Sequence, residues 1–344
     1  MKKIRLGKTG LTATKTAMGC LPIQRCEKAE AVRILKAAYE GGINFFDTAN
    51  AYTDSEVKIG EALSDVRNEI ILATKSTAKD KKGILLHIEN SLKDLKTDYI
   101  DLFQFHNVSE MPDPNDPNGS YAGALEAKKR GWIGHIGITT HRIIVAEESI
   151  ASGYFETLQF PFSYISGERD LALAEKCKAA DMGYIAMKGL AGGLLTNARA
   201  CYAFMNQYDN VLPIWGIQRM EELEQWLEVW RQDVKMDEEL AAFIQKDREQ
   251  FSETFCRGCG YCMPCPKGID IKNCARMNML LRRSPWKKYY SPMWKEMMGR
   301  INDCIGCNAC KSRCPYQLNT PELLKDMLKD YHEFYEEHKH ELVE

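Results

Sequence analysis

The chain lacks any apolar run long enough to cross a bilayer, so no membrane-spanning helix is expected. Its start, Met1-Lys-Lys-Ile-Arg-Leu-Gly7, is basic but leads into no apolar segment. No signal peptide is therefore expected, and a cytoplasmic location follows as the default. Charge of one sign is also missing. The formal net charge is −2 over 344 residues, which gives no case for nucleic acid or an anionic membrane surface as a partner. A glycine-rich dinucleotide fingerprint is lacking too: Met18-Gly-Cys-Leu-Pro22 stands after the first candidate core strand.

What remains is an ordinary soluble balance, 44% hydrophobic and 27% charged. The length suits one large domain plus a smaller one. Cysteine is the exception to the ordinary. Of 13 residues, Cys20, Cys26, Cys177 and Cys201 are scattered, while nine fall between Cys256 and Cys314. In a cytoplasmic chain such clustering reads as metal binding rather than disulfides and marks a second module.

Residues 1–15 read as a small hairpin around Gly7 and Gly10. Short apolar runs then recur near 16–20, 43–47, 70–75, 101–106, 135–139, 157–160, 183–188 and 211–216. Between them lie amphipathic segments such as Glu27–Gly41 and Gly83–Lys96. Strands alternating with helices predict an α/β fold, a (β/α)8 TIM barrel over residues 1–235. A doubly wound open sheet is the alternative, and the missing fingerprint weighs against it. Residues 236–344 are expected to form a helical linker, Asp237–Gln250, and a mainly helical iron–sulfur domain.

In a barrel the C-terminal strand ends line the active face. The stretch Asn44-Phe-Phe-Asp-Thr-Ala-Asn-Ala-Tyr52 delivers Asp47 to such an end and Tyr52 to the loop beyond it. Lys75 closes the next run and His106 the one after. Singly these residues are bland: a strand-end Asp is more often a brace, and a lone His more often a satisfied core residue. Four polar groups at the ends of three consecutive strands are hard to obtain from packing alone. Their types suit carbonyl chemistry. A phenol is a poor acid at neutral pH, an ammonium nearby lowers its pKa, a carboxylate keeps the ammonium charged, and an imidazole orients a substrate oxygen.

Asp47, Tyr52, Lys75 and His106 in these strings resemble the tetrad of the aldo-keto reductase family. The resemblance extends over roughly residues 1–235, with Ile133-Gly-His-Ile-Gly-Ile-Thr-Thr-His141, Leu158-Gln-Phe-Pro161, Ala186-Met-Lys-Gly-Leu-Ala-Gly-Gly193 and Ile214-Trp-Gly-Ile-Gln-Arg219. It implies reduction of a small-molecule aldehyde or ketone with NADP(H) or NAD(H), and Tyr52 as general acid. It also implies a cofactor site drawn from Gly19, Asp47, Thr139, Thr140, Gln159, Met187, Lys188, Leu190 to Gly193, Gln218 and Arg219. Thr139 and Thr140 stand where a Ser-Asn pair usually meets the carboxamide, with Gln159 as its other contact. Met187, Lys188 and Leu190 to Gly193 match the pyrophosphate wall, and Gln218 and Arg219 the adenosine phosphate end. A guanidinium at Arg219 would favour a 2′-phosphate. Phe162 stands near a position where many members carry a stacking Tyr, and Trp215 where Pro often precedes the last strand's Gly.

Cys20 and Cys26 face the expected pocket, as small apolar fillers or as groups that shape substrate binding. The loop Asn107–Tyr121, with three prolines and Asn-Gly, reads as a lid or rim.

The tail carries Cys256-x2-Cys259-x2-Cys262-x2-Cys265-Pro and Cys304-x2-Cys307-x2-Cys310-x3-Cys314-Pro. The second run has the bacterial ferredoxin spacing for [4Fe–4S] clusters, in which the cysteine before proline ligates the other cluster. That rule groups Cys256, Cys259, Cys262 and Cys314 on one cluster, and Cys304, Cys307, Cys310 and Cys265 on the other. The first run has x2 before its last cysteine, which leaves Cys274 as a substitute for Cys265. Zinc is the rival metal, but it ordinarily uses two separated CxxC pairs. The insert Pro266–Asp303 has a helical pattern, and Pro321–Glu344 reads as a charged amphipathic helix forming a solvated cap.

The leading expectation is a carbonyl reductase fused to two [4Fe–4S] clusters, with a redox partner protein as a possible second partner. The alternative is an electron-transfer or redox-sensing protein on a barrel with little carbonyl turnover. A hydride moves two electrons together and a cluster moves one, so without a flavin the two halves are not simply wired in series.

Overall fold

The structure, a computed structural model, describes residues 2–193, 195–251, 255–283 and 286–342. The ends of the expected hairpin and C-terminal helix, at Met1 and at Val343–Glu344, lie outside the described residues, as do Ser284 and Pro285 of the expected helical insert. The strands are β1 (Lys3–Arg5), β2 (Thr12–Thr14), β3 (Ala17–Gly19), β4 (Phe45–Asp47), β5 (Ile71–Ser76), β6 (Ile100–Phe105), β7 (Ile133–Thr139), β8 (Thr157–Pro161), β9 (Gly183–Met187) and β10 (Val211–Gly216). Strands β3 to β10 close into a parallel barrel in sequence order, with β10 pairing β3. The expected (β/α)8 barrel is therefore present. Its strands are largely buried on both faces, as strands covered by helices must be.

Eight helices alternate with the barrel strands: α1 (Lys28–Glu40), α2 (Ser55–Leu63), α3 (Lys81–Asp94), α4 (Ser120–Lys129), α5 (Ile143–Ser152), α6 (Glu168–Ala179), α7 (Ala198–Asn206) and α8 (Met220–Arg231). Each buries a stripe, Ala31, Ile34, Leu35 and Ala38 in α1 for example. The hairpin β1–β2 contributes Ile4, Leu6 and Ala13 to the same apolar cluster as Ala17, Phe45, Ala73, Leu102, Ile185 and Leu212 from the barrel interior. At the hairpin turn, Gly7 adopts φ +51°, and a Cβ there would lie 2.4 Å from the Asp181 carbonyl oxygen. Only glycine permits this turn to press against the β9 approach.

The chain divides into two compact units. The first holds the barrel and comprises Met1–Ala191 and Leu195–Ala241; the second comprises the short segment Gly192–Leu194 and the chain from Ala242 on, which starts inside α9 (Glu238–Phe251). The second unit adds α10 (Ile271–Cys274), α11 (Met277–Arg283), α12 (Pro292–Gly299), α13 (Ala309–Ser312) and α14 (Thr320–His338), and no strand among its described residues. One reading needs correction here. The C-terminal helix is a wall of the tail core rather than a solvated cap. Leu323, Leu324, Met327, Tyr331 and Phe334 of α14 are buried with Ile271, Cys274, Leu281 and Met298. The Tyr331 hydroxyl donates to the Tyr289 carbonyl at 2.7 Å, and that of Tyr290 to the Tyr331 carbonyl at 2.8 Å. These paired bonds let two phenols stay in an apolar core.

Candidate active site and cysteine centre

The barrel ladder continues past the strand ends and so fixes the loops that carry the polar groups. The Thr48 amide donates to the Ala73 carbonyl at 2.8 Å, that of Asn50 to Lys75 at 3.0 Å, and that of His106 to Ser76 at 2.8 Å. The turn at Tyr52 closes through its amide on the Ala49 carbonyl at 2.9 Å. It is held beside β3 by Thr48 Oγ1 on Ser55 Oγ (2.9 Å) and Ser55 Oγ on the Cys20 carbonyl (3.0 Å).

The four expected residues meet there. Lys75 Nζ donates to Asp47 Oδ1 at 2.6 Å and to the Thr48 carbonyl. The same Nζ lies 5.4 Å from the centre of the Tyr52 ring. Tyr52 and His106 stand edge to face, 5.5 Å between centroids at 78°. Burial opposes the Lys75 charge, but the carboxylate of Asp47 and the oxygen of Tyr52 outweigh it, and the pKa rises. His106 is pushed down to about 3, by burial first and the Lys75 charge second, so its ring is neutral. Its Nδ1 is buried and has no partner among the described residues.

Tyr52 departs from the sequence reading in one respect. Lys75 does pull its pKa down, but burial is the larger influence and the net direction is upward. The phenol thus keeps its proton at neutral pH, the state a proton donor requires.

Two residues missed in the sequence complete the group. Gln104, fully buried, sits opposite Lys75 in the β5–β6 register. Its Nε2 reaches Asp47 Oδ2 at 3.3 Å and Gln159 Oε1 at 2.9 Å, while Gln159 Nε2 reaches Asp47 Oδ1 at 3.4 Å. The signal was present: an amide two residues before His106, on the same strand face, inside an apolar run. Glu56, also buried, accepts from Thr74 Oγ1 at 2.5 Å and ties α2 to the strand that carries Lys75. It lies in the first turn of α2, just after the turn that carries Tyr52.

Several of the remaining expected cofactor positions lie on the barrel strands. Gly19 and Thr139 end β3 and β7, Gln159 lies in β8 and Met187 ends β9. Thr139 Oγ1 accepts from the Asn107 amide at 2.7 Å and keeps its own proton to give. Thr140 is committed on both sides, donating to the Val108 carbonyl at 2.9 Å and accepting from the Arg142 amide at 3.0 Å. Lys188, Ala191, Gly192 and Gly193 all have positive φ, between 50° and 90°. Backbone turns of this hand present amide hydrogens to an anion. Arg219 bonds Glu222, Nε to Oε1 at 2.9 Å, and the backbone N–H of Gln218 donates to the same carboxylate at 2.9 Å. The loop read as a rim supplies Asn107, Glu110, Met111 and Asp113 to a cavity of about 600 Å³ that His106 also lines. Cys20 is fully buried, and Cys26 donates to the Gln218 carbonyl at 3.2 Å.

In the second unit the cysteines form two neighbourhoods. Burial pushes the Cys262 thiol up to about 12, and Cys256, Cys259 and Cys314 all act on it in the same direction. Cys265, Cys304, Cys307 and Cys310 line a single cavity, which Cys262 lines as well. Cys274 belongs to neither. It is fully buried in the tail core, its Sγ 3.7 Å from the Met297 carbonyl. Crowded thiols cannot all ionise unless cations offset the charge, so this donor set fits an iron–sulfur group. Among the described residues no three ligating side chains converge on a single-ion site.

Such a barrel, with a buried Lys–Asp pair, a phenol and an imidazole at its C-terminal mouth, defines an oxidoreductase of the nicotinamide-dependent barrel class. Residues 6–201 match the aldo/keto reductase family and residues 255–319 a 4Fe-4S dicluster domain. The chain belongs to the aldo/keto reductase family and carries a 4Fe-4S dicluster domain in its C-terminal part. It is 28% identical over 260 residues to an uncharacterized oxidoreductase of Bacillus subtilis (strain 168), YqkF, covering 71% of this chain and 83% of that one. Its fold matches aldo-keto reductase AKR11C1 from Bacillus halodurans in its holo form, with TM-score 0.62 and 24% identity over 72% of this chain and 96% of that one. It also matches an aldo/keto reductase from Klebsiella pneumoniae in complex with NADP and acetate, with TM-score 0.60 and 19% identity over 72% and 95%. No described helix is long and apolar enough to cross a membrane.

Proposed function

We propose that the protein reduces an aldehyde or ketone, with Tyr52 as proton donor and a nicotinamide nucleotide bound along Gly19, Thr139, Gln159, Met187–Ala191 and Gln218–Arg219. The bound nicotinamide supplies the hydride. Tyr52 holds its proton at neutral pH and releases it to the carbonyl oxygen as that oxygen gains charge. Lys75 stabilises the phenolate left behind, and Asp47 keeps Lys75 charged and in place. Neutral His106 hydrogen-bonds the substrate oxygen and orients it. Thr139 and Gln159 are the amide-recognising groups, while Thr140 acts on the loop instead. The observation that carries this reading is the arrangement around Lys75: 2.6 Å to Asp47 and 5.4 Å to the centre of the Tyr52 ring.

The tail is proposed to hold two [4Fe–4S] clusters, one on Cys256, Cys259, Cys262 and Cys314, the other on Cys304, Cys307, Cys310 and Cys265. Proline after Cys265 and Cys314 follows the rule by which the last cysteine of each run crosses to the other cluster. The test is anaerobic purification with iron and sulfide counts, then a panel of aldehydes and ketones with each nicotinamide nucleotide. Tyr52→Phe should abolish most of the reduction and leave the iron–sulfur absorption unchanged. Unaltered turnover in that variant would remove Tyr52 from the mechanism.

A further inference from the structure

The two cysteine neighbourhoods differ in how they meet solvent. Residues Cys256 to Met263 are all half-buried, whereas Ile305 to Asn308 are exposed without a break. Cys307 is the one exposed cysteine of the described chain. Beside it Ile305 is 62% exposed, more than any other large apolar side chain among the described residues. Ile305, Cys307 and Lys267 line the same cavity. Lys267, Lys311 and Arg313 are exposed around it, Arg313 anchored by Nη1 on the Pro264 carbonyl at 3.3 Å. From Cys304 to Pro315 there is no acid; the exposed carboxylates nearest in sequence to the cavity lining are Asp303 and Glu322, which follows the lining residue Pro321.

We propose that this face is the docking site of an acidic one-electron carrier protein. An apolar centre inside a basic rim is the anatomy of a small transient interface, and the rim selects a partner of opposite charge. Offsetting the negative charge of thiolate-bound iron would account for the basic residues. It does not account for an isoleucine held in water beside the most accessible cysteine. Contact here brings the carrier's redox centre within a few side chains of Cys307. A cluster held by Cys265, Cys304, Cys307 and Cys310 would take one electron from the reduced carrier, leaving the carrier oxidised, with no proton or bond exchanged. The inference rests on the proposed clusters, so loading is measured separately.

The test uses the full chain, loaded anaerobically and verified by iron and sulfide content. An oxidised acidic [2Fe–2S] ferredoxin is titrated in by calorimetry at low and high salt, with basic cytochrome c as the opposite-charge probe. The expected result is ferredoxin binding that weakens with salt and no cytochrome c binding. Lys311→Glu with Arg313→Glu should weaken it about tenfold or more, and Ile305→Ser severalfold at unchanged charge. An equal charge reversal farther along the tail, Lys329→Glu with Lys339→Glu, should leave it alone. Loaded protein that fails to bind ferredoxin, or binds it equally well in both face variants, overturns the proposal. Unloaded protein instead condemns the cluster reading.

Discussion

Lys75 Nζ lies 2.6 Å from Asp47 Oδ1, and neither side chain is more than 3% exposed. At that depth an ammonium without its carboxylate has no water to turn to. Asp47→Asn should therefore cost about 3–5 kcal/mol of stability, the usual result of stranding one partner of a buried pair. The double variant Asp47→Asn with Lys75→Met should cost less than the two single changes added together. Urea unfolding of the four proteins checks both statements. Additive losses would mean that the two side chains are not coupled.

Tyr52 and His106 set the pH behaviour. The Tyr52 pKa lies above its usual value of about 10 because burial outweighs Lys75. The His106 pKa lies at about 3, far below the ordinary histidine value. Between pH 5 and 9 the phenol is protonated and the imidazole neutral, so kcat/KM for reduction should be flat across that window. A break near pH 6.5 would show a titrating His106 and end this assignment. Tyr52→Phe should lower kcat by about 10²–10⁴, the range for a lost general acid. Stability should move separately. The unfolded chain protonates this histidine near pH 6.5 while the folded one does not. Folding should weaken as pH drops below that point, and His106→Asn should remove that part of the decline.

Much of this was legible in the sequence because it is local. Buried parallel strands are short apolar runs, and each expected run from 16–20 to 211–216 overlaps one observed strand. Asp47, Lys75 and His106 stood out because they break those runs at their C-terminal ends. What stayed hidden depends on partners far along the chain. Gln104 meets Asp47 57 residues away, and Gln159 meets it across 112. The upward direction at Tyr52 needs its depth, which no local pattern supplies. The α14 helix looked solvated because its charged residues dominate the string, yet every third or fourth residue is buried in the tail core.

Arg219 is paired with Glu222 at 2.8 Å, but its side chain is 69% exposed. An exposed pair of this kind is worth only about 0.2–1 kcal/mol, so a 2′-phosphate can compete for the guanidinium. Glu222→Gln should lower KM for NADPH by up to about fivefold, the factor that range allows, and leave KM for NADH in place. Arg219→Ala should raise KM for NADPH selectively. Initial rates with both nucleotides decide this, and equal changes for the two would place Arg219 away from the phosphate.

Cys265 and Cys274 compete for one ligand position, and their surroundings separate them. Cys265 lines the cavity of Cys304, Cys307 and Cys310. Cys274 is fully buried among Ile271, Met277 and Leu281. Burial pushes its thiol up to about 12, with Asp270 adding to the rise, so it behaves as a small apolar filler. Cys274→Ala should keep the full iron content and cost about 1 kcal/mol, as removal of one buried group does. Cys265→Ala should lose about half of the iron, because each four-cysteine set holds one cluster. Iron and sulfide analysis of the two variants, purified without oxygen, reads the answer directly. Loss of iron from the Cys274 variant with none from the Cys265 variant would exchange their roles and rule out the ferredoxin crossover for the first run.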